Sequence, residues 1–214
     1  MPEHSSPKSE TRTIMLIDIV GYTSATVHLS REQLNFLQEI FDNLALPVFQ
    51  KYSGTVIKKI GDAFLVTFRN ATDALLCGIE LQNTFKSYNK NNLPKNPLNI
   101  RIGIHHGEVV IRDKDIYGEA VNLTARLEEI IPSGEIYFTE TVFKIMNKNE
   151  ISYLFVDDFA PRGIPETLKV YKIRWKKDER LILLWQVLEV IFFFVFLILL
   201  GWLGNYVYRT YFGS

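Results

Sequence analysis

The sequence predicts an α+β fold: a mixed β-sheet covered by helices, followed by one C-terminal transmembrane helix. Two observations carry this. Apolar runs of strand length alternate with segments of helical periodicity, in the order strand, helix, hairpin, helix, strands, helix, strand. Beyond a basic stretch at Arg174–Arg180, the chain turns into 24 almost wholly apolar residues, Leu181 to Gly204. The full 214 residues suffice for one catalytic domain with an appendage.

Bulk composition narrows the chemistry. Lys and Arg number 24 and Asp and Glu also 24, so no net basic field points to nucleic acid as a partner. The single cysteine, Cys77, excludes an intramolecular disulfide and a Cys-based zinc site. It lies in an apolar helical run, where it reads as a small buried hydrophobe.

Residues 1–13 are polar and lack the apolar core of a signal peptide, so they read as a disordered tail. Thr13–Ile17 is a short apolar run ending at Asp18, the pattern of a strand buried on both faces. Ser30 caps a helix from Arg31 to about Tyr52, with Leu34, Leu37, Ile40, Phe41 and Leu44 on its inner stripe. Thr55–Ile60 and Ala63–Phe68 flank Gly61-Asp62 and predict a hairpin. A second helix spans about Asn70 to Asn89. Ile100–Ile104 and Glu108–Arg112 read as two strands around a turn at His105-His106-Gly107. Gly118 permits a sharp entry into a helix over Ala120–Glu128. A strand at Glu135–Phe138, a helix near Thr141–Met146 and a strand at Leu168–Ile173 complete the domain.

The apolar segment 181–204 is long enough to cross a bilayer core of roughly 30 Å at about 1.5 Å per residue. Val190 to Leu200 has no polar side chain, so a helix lying in the interface plane is the weaker reading. Arg174, Lys176, Lys177 and Arg180 precede the span and only Arg209 follows it, which predicts a cytoplasmic domain. Glu189 must face a neighbouring helix, stay near the interface or be protonated. The predicted organisation is a tail (1–13), a catalytic domain (14–174), a basic linker (175–180), the transmembrane helix (181–204) and a short tail (205–214).

Three sets of residues carry chemistry. Asp18 ends a strand and Asp62 sits at a hairpin tip; set side by side, the two would make a sparse oxygen site suited to Mg²⁺ or Mn²⁺. Taken alone, Asp62 is equally a turn residue. Gly21 lets backbone amides approach a polyphosphate. Asn122 and Arg126, one helical turn apart, present an amide and a guanidinium from one face, a donor pair for an anionic oxygen.

Four motifs, Leu16–Thr23, Lys58–Asp62, Arg101–His105 and Asp115–Arg126, resemble those of class III adenylate cyclases in order and internal spacing. The resemblance runs from about Ile14 to Ile173. It implies the class III nucleotidyl cyclase fold, with a ferredoxin-like βαββαβ core, and conversion of ATP to cyclic AMP and pyrophosphate. It further implies two Mg²⁺ or Mn²⁺ ions per site, held by Asp18, Asp62 and the Ile19 carbonyl. Lys58 and Asp115 would read adenine, Asn122 would orient the ribose and Arg126 would stabilise charge on the phosphate. Arg101 matches a position that touches terminal phosphates, and Gly21, Tyr22 and Thr23 fall in the substrate-binding turn. Arg162 stands where the family has a phosphate-contacting Lys, a change in donor geometry. Leu16 and Tyr22 replace usual phenylalanines. His105 and His106 read as structural.

The family's sites form between two protomers. Asp18, Asp62 and Arg101 would come from one subunit and Lys58, Asp115, Asn122 and Arg126 from the other, in a two-fold homodimer. Together these readings describe a single-pass cell-membrane adenylate cyclase with its catalytic domain in the cytoplasm. The rivals are a cyclase of other nucleotide preference, against which Lys58 and Asp115 argue, and a silent nucleotide-binding or dimerisation module. Both metal-site Asp residues and the Asn122/Arg126 pair argue against the latter.

Overall fold

The computed structural model describes residues 8–22, 26–27, 29–94, 97–161, 167–175, 192–193 and 201. Two compact units divide the chain, Met1–Arg174 and Trp175–Ser214.

The first unit is built on β1 (Lys8–Ile19), whose second half is buried on both sides of the sheet. Around it stand β2 (Thr55–Ile60), β3 (Ala63–Phe68), β4 (Ile100–Arg112), β6 (Ile136–Thr139), β7 (Tyr153–Phe159) and β8 (Leu168–Ile173), in the order β2-β3-β1-β4-β6-β8-β7. A short β5 (Asp115–Tyr117) pairs with the end of β4. The β4–β6 pair is parallel and the other pairs are antiparallel, so the sheet is mixed.

Helices α1 (Arg31–Lys51) and α2 (Ala71–Asn92) cover one face, and α3 (Glu119–Glu129) covers the other. Neighbouring residues of β4 show the division, because side chains alternate along a strand. Ile102 packs toward Gly78 of α2, whereas a Cβ at Gly103 would meet Thr124 O and Glu128 N of α3 at 3.4 Å. On the α1/α2 face, Phe41 stacks on Phe64 at 5.1 Å and packs against Phe85 at 5.6 Å. On the α3 face, Ile14, Leu16, Leu65, Val109, Ile116 and Ala120 form one buried cluster. Helix α1 starts with a capping box: Ser30 N–H donates to Gln33 Oε1 at 2.8 Å and Gln33 N–H to Ser30 Oγ at 3.3 Å.

Two sequence expectations are corrected. The first strand begins at Lys8, inside the stretch expected to be a disordered tail. Its polar start survives as a strand because Lys8–Arg12 pair in register with Gly107–Ile111 of β4. The turn expected at His105-His106-Gly107 is absent: β4 is one 13-residue strand, paired with β1 along its length. Gly107 serves packing, since a Cβ there would lie 2.8 Å from Ala120 Cβ, at the N-terminal end of α3. The actual reversal comes after Arg112, where Asp113 and Lys114 both adopt positive φ (53° and 65°) and return the chain into β5. Strand β7, an edge strand with mostly exposed side chains, had no counterpart in the sequence reading.

Of the second unit, the described residues are Trp175, Phe192, Phe193 and Gly201. Apart from the last three, the expected transmembrane helix at 181–204 lies outside the described residues. Among the described residues no helix is long and apolar enough to cross a membrane.

Candidate active site

Antiparallel pairing brings the first group together. Asp18 lies at the end of β1, opposite Arg101 of β4 on one side and Ala63 of β3 on the other. The β2–β3 turn, with Gly61 at φ 62°, places Asp62 next to Ala63 and so beside Asp18. Arg101 donates twice to Asp18 Oδ2, from Nε at 3.0 Å and from Nη2 at 2.7 Å. Burial, reinforced by the Asp18 charge, pushes the Asp62 carboxyl up to about 6. Two carboxylates at adjacent strand ends make an all-oxygen pair that fits a divalent cation taking its remaining ligands from elsewhere. Among the described residues, no group of three or more His, Cys, Asp or Glu is arranged to hold a metal by itself. The fit is therefore to an ion completed by backbone oxygen, of which the Ile19 carbonyl is the nearest in sequence, and by ligand phosphates.

A fourth member of this group was missed in the sequence. Glu128 of α3 is buried and ion-paired with Arg101 Nε. Burial, then the Asp18 charge, raises its carboxyl to about 7. A signal for it existed: Ala120, Thr124 and Glu128 recur at four-residue spacing along the stripe of α3 that faces the sheet, where an acid needs a partner.

The second group joins β2 to β5. Lys58 Nζ donates to Asp115 Oδ2 at 2.7 Å, and Asp115 Oδ1 accepts from its neighbour's Ile116 N–H at 2.8 Å. The Lys58 hydrogen bond is the largest cause holding the Asp115 carboxyl below its ordinary range. A register shift between Val56 and Lys58 marks a bulge at Ile57. Past it, Lys58 pairs with Leu65, on the α3 side of the sheet, while Lys59 pairs with Asp42 of α1 on the opposite side.

Helix α3 carries the third group. Gly118 enters it at φ 133°, a conformation side chains other than glycine rarely adopt. Buried Leu123, Thr124 and Leu127 seat the helix, leaving Asn122 exposed and Arg126 half-buried beside them. Arg126 Nη1 is buried with no hydrogen-bond partner. A donor left in that condition costs about 1–3 kcal/mol, which an anionic ligand would relieve.

Of the other candidates, Gly21 sits in the left-handed region at φ 73°, and Tyr22 Oη accepts from Gln38 Nε2 at 3.1 Å. Thr23 and Arg162 lie outside the described residues. His105 is buried, its Nδ1 2.9 Å from Thr139 Oγ1, consistent with a structural place. Two surface clefts of about 630 and 860 Å³ are lined by other residues, among them Tyr52 and Glu80 in one and Arg12 and Arg69 in the other. The candidate residues line neither of these clefts.

The sequence matches the profile of the family described as "Adenylate and Guanylate cyclase catalytic domain" over residues 5–174. A serine/threonine-protein kinase, pkn2, of Myxococcus xanthus is 31% identical over 165 residues, which are 77% of this chain and 20% of the kinase. Putative adenylate cyclase 3 of Rhizobium meliloti is 25% identical over 168 residues, 78% of this chain and 28% of that protein. The chain thus spans less than a third of the length of these curated relatives. Among solved structures, the adenylyl cyclase CyaB from P. aeruginosa aligns with a TM-score of 0.74 at 25% identity, covering 81% of this chain and 98% of that one. The guanylyl cyclase Cya2 aligns with a TM-score of 0.71 at 25% identity, covering 81% and 96%.

Proposed function

The chain belongs to the adenylate and guanylate cyclase catalytic domain family, and from that premise we propose that it is a membrane-tethered adenylate cyclase. It converts ATP to 3′,5′-cyclic AMP and pyrophosphate at two sites shared between two copies of the chain.

The Lys58–Asp115 pair carries the choice of ATP. Adenine presents an acceptor at N1 beside a donor at its 6-amino group. An ammonium and an ionised carboxylate 2.7 Å apart supply the complementary donor and acceptor. Guanine presents the reverse, a donor at N1 and an acceptor at O6, and would leave both charged groups facing the wrong partner.

The remaining residues follow the triphosphate. Asp18, Asp62 and the Ile19 carbonyl would hold two Mg²⁺ or Mn²⁺ ions, which would supply Lewis-acid chemistry to the reaction. Asn122 fixes the ribose so that O3′ lies in line with the α-phosphorus and the bond to the leaving pyrophosphate. Arg126 Nη1, buried and unpartnered, meets the negative charge that grows on the α-phosphate oxygens. Arg101, the backbone around Gly21, Tyr22 and Thr23, and Arg162 bind the rest of the triphosphate.

Sharing between protomers is supported by what one chain presents. Asp18, Asp62 and Arg101 form one group, and Lys58 and Asp115 form another near α3. Exposed Ile60 and Tyr117 stand next to these groups, apolar surface that a second copy related by a two-fold axis would cover. The tether rests on the 24 almost wholly apolar residues from Leu181 to Gly204 and on the basic flank that keeps the domain cytoplasmic.

The deciding experiment offers ATP, GTP, CTP and UTP separately to the full-length protein in detergent, with Mg²⁺ and with Mn²⁺. Cyclic AMP as the main product, lost in Asp62→Ala, is the expected result. No product from any nucleotide by a folded dimer would overturn the cyclase reading. Mixing Asp18→Ala with Asn122→Ala protein should restore activity through one intact composite site; a mixture that dimerises and stays dead rules out sharing.

A further inference from the structure

The Arg101 guanidinium is claimed by two carboxylates at once. Its Nε and Nη2 donate to Asp18 Oδ2, and Glu128 makes an ion pair with the same Nε. Nε has a single hydrogen, directed at Asp18. Glu128 Oε1 is therefore buried, held by charge and without a hydrogen bond of its own. A buried acceptor in that state gains from any rearrangement that turns a donor toward it. Asp18, in the reading above, has a second demand on it from the cation.

We propose that Glu128 is a positioning residue that takes over the Arg101 guanidinium when Asp18 turns to its cation. This inference rests on the reading of Asp18 as a metal ligand. A small rotation of the Arg101 side chain moves the Nε hydrogen from Asp18 to Glu128, which already lies in contact. Asp18 is then free to coordinate, and the guanidinium keeps a partner instead of being left buried and unpaired. Helix α3 makes Glu128 a fixed point in the exchange, since it lies so close to β4 that a Cβ at Gly103 would meet Glu128 N and Thr124 O at 3.4 Å. Without the Glu128 charge, Arg101 remains committed to Asp18 and competes with the cation.

The test reads Mn²⁺ binding to the nucleotide-free full-length protein, from the free-ion electron paramagnetic resonance signal. Glu128→Gln, which keeps the shape and removes the charge, should weaken Mn²⁺ binding about tenfold. It should weaken inorganic triphosphate binding in the presence of Mn²⁺ by at least as much. Glu128→Asp should recover part of the loss. In an Arg101→Met background, where nothing competes for Asp18, Glu128→Gln should leave Mn²⁺ affinity unchanged. Equal Mn²⁺ affinity in wild type and Glu128→Gln, or tighter binding in the variant, overturns the proposal. An undiminished loss in the Arg101→Met background also overturns it, because Glu128 would then act without Arg101. Should Glu128→Gln fail to fold, the comparison of Glu128→Asp with wild type in both backgrounds decides the same point. Failure of wild type itself to bind Mn²⁺ with or without triphosphate refutes the metal reading of Asp18, a distinct outcome.

Discussion

Lys58 and Asp115, 57 positions apart in the chain, meet as an ion pair with Nζ 2.7 Å from Oδ2. Each satisfies the other, and the Lys58 hydrogen bond holds the Asp115 carboxyl below its ordinary range. Reversing the pair, Lys58→Glu with Asp115→Lys, preserves the ion pair and inverts the pattern it offers. Glu at 58 would accept from guanine N1–H and Lys at 115 would donate to O6. The ratio of kcat/KM for ATP over GTP should fall at least about a hundredfold, since each mismatched polar contact is worth about 1–3 kcal/mol. An unchanged ratio in an active double variant would remove these residues from base selection.

Arg126 should show activity and stability moving apart. Its Nη1 is buried without a partner, so Arg126→Ala removes an unsatisfied donor along with the proposed phosphate contact. We expect kcat to fall about 10²–10³-fold, the range for one lost charge-stabilising donor. Thermal stability of the nucleotide-free protein should hold or rise. A variant that loses activity and unfolds at lower temperature would mark Arg126 as structural.

Much of this was legible in the sequence. The Gly61-Asp62 turn, the N-cap at Ser30 and the Asn122/Arg126 spacing each follow from local chemistry that acts over three or four residues. What was not legible depends on distant partners. Lys8–Arg12 form strand only because Gly107–Ile111 pairs with them. Gly107 looked like a turn residue because sequence does not show that Ala120 presses against it. Glu128 went unnoticed because the pattern that flags it, an acid in a buried stripe, names no partner until Arg101 is seen beside it.

That close approach is itself testable. A Cβ at residue 107 would lie 2.8 Å from Ala120 Cβ and 3.1 Å from His105 Nε2. Gly107→Ala must therefore push the start of α3 away from β4, at a cost of about 1–3 kcal/mol measured by urea unfolding. Because the same helix carries Asn122 and Arg126, kcat should fall more than KM rises. Adding Ala120→Gly removes the opposing Cβ and should restore most of kcat, while costing up to about 1 kcal/mol in helix propensity. A double variant no better than Gly107→Ala would show that the clash lies elsewhere.

His105 sets an acid limit on the fold. Burial pushes its imidazole down to about 4, with the neighbouring His106 charge a smaller cause, and Nδ1 lies 2.9 Å from Thr139 Oγ1. In the unfolded chain it titrates near 6.5. Between these values the unfolded state binds the extra proton, so the stability His105 contributes is complete above pH 6.5 and drains away as pH falls toward 4. The full difference corresponds to about 3 kcal/mol. Asp62 and Glu128, whose carboxyls are raised, act in the opposite sense, losing stability as pH rises through about 6 and 7, but they do so equally in a His105 variant. The expected signature is thus a difference: urea midpoints of wild type should fall more steeply between pH 7 and 4.5 than those of His105→Gln. Parallel curves would mean that the folded protein accepts a charged imidazole at this position, and that the Thr139 hydroxyl acts as acceptor to Nδ1–H in both protonation states.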